Sequence, residues 1–91
     1  MDLIDLKYLV AKKGLSFTAI DRLNGLREGS VRLAVAKPHK AGEKALAKAL
    51  GIEAKDIFPS RYDERGRRYE PQPRANYNYY SATNKSENFS A

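Results

Sequence analysis

The chain has 91 residues, with 17 Lys/Arg against 11 Asp/Glu, no cysteine and one histidine. So short a chain builds one packed core with at most an extension, and without cysteine neither a disulfide nor a thiolate-held zinc can supplement that core. No run nears the roughly 18 apolar residues that span a bilayer, and Asp2 and Asp5 stand where a secretory signal would carry bases, so a cytoplasmic location is expected.

The net charge of +6 is unevenly placed: residues 1–62 hold twelve Lys/Arg against seven Asp/Glu, and residues 63–91 hold five against four. The basic excess therefore sits on the part with apolar periodicity, which suits a surface that neutralises phosphates. A solvated face of mixed sign gives the same balance.

Leu3, Leu6, Leu9 and Val10 form a helical stripe over residues 2–13, and Lys12, Lys13 and Gly14 suit its end. Ser16 is placed to cap a second helix over residues 17–24, with Leu15 and Ile20 at the spacing of a hydrophobic staple. Gly25 then turns the chain, because a left-handed residue costs least without a β-carbon. Leu26 fills the gap between helices. A third helix is expected over residues 28–36, burying Val31, Ala34 and Val35, with Glu28 in its first turn and Pro38 ending it. Gly42 and Glu43 open a fourth helix whose inner residues are Ala45, Leu46, Ala49 and Leu50 and whose cap is Gly51. Ile52, Ile57 and Phe58 anchor a short helical turn at residues 53–57, closed by Pro59.

Beyond Tyr62 the composition changes. Residues 63–69 are nearly all charged, Pro71 and Pro73 interrupt any periodicity, and residues 76–91 are mostly Asn, Ser, Ala and Tyr. Such a segment buries too little apolar surface to offset a chain entropy of about 1–2 kcal/mol per residue. The reading is a folded domain at 1–62 and a disordered extension at 63–91, with at most a marginal hairpin around Arg65-Gly66.

Two short helices joined by a glycine turn are either plain helical packing or a helix-turn-helix, whose second helix enters the major groove of double-stranded DNA. In the second case the outer face of helix three, with Arg27, Glu28, Gly29, Ser30, Arg32, Leu33, Ala36 and Lys37, does the reading. Arg32 suits guanine O6 and N7, Glu28 suits cytosine N4, Ser30 is permissive, Leu33 meets a thymine methyl, and Arg27 lies at the helix opening. The plainer roles are dipole compensation for Glu28 and phosphate contact for Arg32. Arg22, Lys37, His39, Lys40 and Lys44 flank the reading helix as phosphate contacts. His39 has no cysteine or second histidine with which to hold a metal, so neither a metal nor a cofactor is expected.

Gly14-Leu15-Ser16, Asn24-Gly25-Leu26, Lys37-Pro38, Lys40-Ala41-Gly42-Glu43, Ala47-Lys48-Ala49-Leu50-Gly51-Ile52 and Ile57-Phe58-Pro59-Ser60-Arg61-Tyr62 follow one another in that order. Together they make residues 5–62 resemble the Ner-like family of small phage-type regulators. The resemblance implies an all-α, lambda-repressor-like bundle of about five helices. It also implies sequence-specific transcriptional regulation, repression of early promoters in phages, and no catalysis. Three departures bear on the operator rather than the fold. Arg27-Glu28-Gly29-Ser30 stands where the family has small hydroxyl residues, Leu33 where members carry a polar reader, and His39 where they carry an aromatic.

The composition offers no nucleophile and base pair of the usual kinds and no Gly-rich phosphate loop, which argues against an enzyme. Two other binding readings stay open. Tyr69, Tyr77, Tyr79, Tyr80 and Phe89 suit an antitoxin-like module whose extension wraps a protein partner, or stacking on single-stranded nucleic acid, which the scarcity of nearby cations disfavours. Arg61 and Tyr62 are expected to tie the terminal segment to the core. A dimer on paired half-sites is compatible with the pattern.

Overall fold

The computed structural model describes residues 1–77, which contain five α-helices. Helix α1 (Leu3–Lys12) starts where the Asp2 carboxylate accepts a hydrogen bond from the Asp5 amide at 2.8 Å, and it buries Leu6 and Val10. Helix α2 (Phe17–Leu23) is capped by the Ser16 hydroxyl, which accepts from the Ala19 amide at 3.0 Å. Gly25, at φ 65°, turns the chain as expected, and the Leu26 amide returns to the Asp21 carbonyl. Helices α3 (Ser30–Ala36), α4 (Lys40–Leu50) and α5 (Ala54–Ile57) follow. Gly51 closes α4 in the left-handed conformation at φ 69°.

Helix α4 is the central element and packs against all four other helices. Its inner stripe of Ala45, Leu46 and Leu50 meets Leu6 and Val10, Ile20, Val31, and Ile57 with Phe58 in one apolar cluster. Each helix is too short to be stable alone in water, so burial of these faces holds the helices together.

The structure corrects four expectations. Helix α3 begins at Ser30 rather than at residue 28, because Gly29 lies at φ 95°, a conformation that a helix cannot pass through. Ser30 and Ala36, expected on its outer face, are buried, while Val35 is only half-buried. Pro59 does not simply stop the chain but opens a 3₁₀ turn, Pro59–Arg61.

The fourth correction concerns the extension, whose residues 63–77 are folded against the bundle. Tyr62 pairs antiparallel with Arg68 around a turn at Gly66, and the Asp63 carboxylate accepts from the Arg65 and Arg67 amides, each at 2.8 Å. The Tyr69 amide donates to the Arg61 carbonyl, and the buried Gln72 amide donates to the carbonyls of Arg61 and Tyr69 at 3.0 and 2.9 Å. The remainder, 78–91, with Tyr79, Tyr80 and Phe89, lies outside the described residues.

Candidate nucleic-acid interface

Helices α2 and α3 are locked by one carboxylate. Asp21, on the inner face of α2, is only 1% exposed. Its two oxygens accept from the Gly29 amide at 2.8 Å and the Val31 amide at 2.9 Å, both at the N-terminal end of α3. The N-cap of α3 is Gly29, which has no side chain to satisfy those amides, so the preceding helix supplies the cap. The geometry of the two-helix unit is thereby set by two short charge-assisted bonds as well as by packing.

On the outer side of this unit, Arg32 and Leu33 are exposed on α3, and Arg27 and Glu28 are exposed in the turn before it. These four remain together as a candidate reading surface. Ser30 does not join them, since its buried hydroxyl donates to the Arg27 carbonyl at 2.6 Å. Beside Arg32, a cleft of about 570 Å³ opens between α1, α2 and the start of α3, and Lys7, Thr18 and Glu28 line it. It brings Lys7 of α1 to the reading side, a neighbour that the sequence alone did not suggest.

Among the expected phosphate contacts, Arg22 is exposed in the last turn of α2, Lys37 just after α3, and Lys40 and Lys44 one turn apart on α4. His39 is used differently. It is the half-buried N-cap of α4, its ring Nδ1 accepting from the Gly42 amide at 3.0 Å while its own amide donates to Glu43 Oε2 at 2.9 Å. With Nδ1 so engaged, only Nε2 remains free to meet another group.

Behind α3 lies a buried ionic cluster centred on Glu43, which is fully buried. Glu43 Oε2 pairs with Arg61 Nη1 at 3.1 Å, and Arg68 grips both carboxylate oxygens, through Nε and Nη2, at 3.1 Å each. The Tyr62 hydroxyl donates to Oε1 at 3.0 Å. Arg61 also donates to the carbonyls of Ala34 and Val35 at the C-terminal end of α3, and it stacks on the Phe58 ring at 4.1 Å. Burial works to raise the Glu43 carboxyl, but the hydrogen bonds from Arg68, the His39 amide and Tyr62, with the charge of Arg61, hold it below its ordinary value. Burial pushes the Arg61 guanidinium down against the pull of Glu43, whereas the hydrogen bond to Glu43 raises that of Arg68. The Tyr62 phenol is pushed up to about 12, first by burial and then by its bond to the carboxylate.

Neither buried acid was singled out as buried from the sequence, although a signal was present. Asp21 falls beside Ile20 on the stripe begun by Phe17, and Glu43 falls three residues before Leu46 and seven before Leu50. An acid at an inner position of a helical stripe points to a paired or capping carboxylate.

The model of a family described as winged helix-turn-helix DNA-binding matches residues 1–74, a span that runs through the ordered hairpin. Over 53 residues the chain is 43% identical to sugar fermentation stimulation protein B of Escherichia coli K12, covering 58% of each chain, with the same figures for that protein in Shigella flexneri. The chain thus spans about 58% of the length of these relatives. Over 51 residues it is 37% identical to a negative regulator of transcription from Escherichia phage D108, covering 56% of this chain and 70% of the phage protein. These similarities bear out the resemblance to Ner-like regulators. No solved structure matches the chain.

Proposed function

The chain belongs to the winged helix-turn-helix DNA-binding family, and we propose that it is a sequence-specific transcriptional regulator, acting as a repressor, that reads the major groove of double-stranded DNA with α3. The observation that carries this reading is the exposed group of Arg32 and Leu33 on α3, with Arg27 and Glu28 in the turn before it, on a helix locked to α2 by Asp21. The phage relative named as a negative regulator of transcription supports repression.

In this reading Arg32 takes a guanine edge, Glu28 a cytosine amino group and Leu33 a thymine methyl, with Arg27 at the opening of the helix. Arg22, Lys37, Lys40 and Lys44 meet phosphates, and His39 contributes through Nε2 alone. The action is binding without a catalytic step, on DNA in the cytoplasm. Two copies on paired half-sites would extend the contact. Selection of bound sequences from random duplex DNA tests the proposal. Enrichment of a motif is expected, with paired motifs if two copies bind, and a pool with no preferred sequence would overturn sequence-specific regulation.

A further inference from the structure

The reading helix has seven residues, too few to hold its own direction, and both of its ends are tied by side chains from other elements. At its start the tie is Asp21 of α2. At its end it is Arg61, whose guanidinium occupies the carbonyls of Ala34 and Val35, groups that a helix C-terminus otherwise leaves to water. Arg61 is itself held by Glu43, and both oxygens of Glu43 are gripped by Arg68. Arg68 stands on the hairpin that pairs with Tyr62, and its remaining reach goes to Glu70 at 2.8 Å. A continuous charged chain therefore runs from a segment beyond the helical bundle to the end of the reading helix.

We infer that Arg68 is a positioning residue for DNA recognition: through Glu43 and Arg61, the hairpin after Tyr62 sets the placement of α3 and so its discrimination between sequences. The inference rests on α3 being the reading element. Two features argue for placement over a simple staple. The two-pronged geometry of Arg68 on Glu43 fixes the orientation of the carboxylate as well as its charge. The next link lands on backbone carbonyls of α3 itself, one and two residues beyond Leu33.

The test uses the full chain and its Arg68→Ala and Arg68→Lys variants, titrated against a selected duplex and a scrambled one at several salt concentrations. Backbone amide exchange is followed in parallel without DNA. With Arg68→Ala, the ratio of selected to scrambled affinity should fall about tenfold, with the salt slope unchanged and exchange accelerated in α3 but not in α1. Arg68→Lys keeps the charge but loses the fork, so its ratio should also fall. An unchanged ratio together with unchanged α3 exchange would overturn the inference. So would equal weakening on both duplexes with a salt slope smaller by about one contact and restored by lysine, which would make Arg68 a phosphate ligand. Should Arg68→Ala fail to fold, Gln72→Ala, which loosens the hairpin from the Arg61 and Tyr69 carbonyls, is read by the same measurements with the same expected signs. If the wild-type chain prefers no duplex, the proposed function fails, and α3 exchange alone decides whether the hairpin controls the helix.

Discussion

Gly42 lies so close to Ala34 that a methyl group added to it would stand 2.7 Å from the Ala34 β-carbon. The same methyl would meet the Ser30 carbonyl at 2.7 Å and His39 Nδ1 at 3.1 Å. Helices α3 and α4 thus cross with almost nothing between their backbones, and α3 is seated on the first turn of α4. Gly42→Ala should destabilise the domain by about 1–3 kcal/mol through overpacking, although alanine favours a helix interior by about 1 kcal/mol. Urea denaturation measures this. A variant of equal or greater stability would mean that the two helices can separate without cost.

Glu43 should make the fold acid-sensitive. Its carboxyl titrates below its ordinary value in the folded chain, so the unfolded chain binds the proton more readily. The stability it contributes is present above the unfolded value of 4.5 and is lost as pH falls below 4.5 and through the lower folded value. Glu43→Gln should flatten the pH dependence of the urea midpoint in that window. Glu43→Ala, which leaves Arg61 buried without its partner, should cost about 3–5 kcal/mol.

Tyr62 gives the opposite limb. Its phenol is raised from 10.0 to about 12, so its contribution is present below pH 10.0 and is lost as pH rises towards 12. In Tyr62→Phe the alkaline loss of stability over that range should shrink. An identical alkaline limb in the two proteins would place the titration elsewhere.

The extension makes a graded prediction. Deleting residues 70–91 removes Gln72 and its bonds to the Arg61 and Tyr69 carbonyls. Each such bond contributes about 0.5–1.5 kcal/mol net, and in a domain of this size 1 kcal/mol shifts Tm by roughly 4–8 °C. Deleting only 78–91 keeps every one of these bonds and should leave Tm nearly unchanged. Equal Tm values for the two truncations would show that Gln72 adds nothing.

Most of the bundle was legible because it follows from local rules. Ser16 before an apolar run, Gly25 and Gly51 after one, and the stripe through Leu46 and Leu50 each mark a boundary or a face by spacing alone. The start of α3 was not legible in the same way, because Gly29 could be read as a small residue within a helix as easily as its breaker. The hairpin around Gly66 was legible only as a marginal one, for a different reason. Residues 63–77 are held by charge pairing and amide bonds to Glu43 and Arg61, and such contacts carry no periodicity along the chain. The candidate base-reading group could be named from the sequence, but whether Ser30 faces out or in depended on where α3 begins.

The division of labour between Arg32 and Lys40 follows from their places on the two helices. Arg32 projects from the exposed side of α3 next to the cleft shared with Lys7 and Glu28, where a guanidinium can make a two-pronged contact with guanine. Arg32→Ala should therefore cost roughly 1–3 kcal/mol on the preferred duplex and much less on a scrambled one, relaxing the choice at one base pair. Lys40 is exposed at the first position of α4, beyond Pro38, and offers a point charge without a planar fork. Lys40→Ala should weaken all duplexes alike. It should also reduce the dependence of log affinity on log salt by about 0.9, the contribution of one phosphate. Titrations of both variants against matched and scrambled duplexes at several salt concentrations separate the two effects. Equal losses on both duplexes for Arg32→Ala would move Arg32 from the base edges to the backbone, and a flat salt response in the wild-type chain would remove the phosphate contacts altogether.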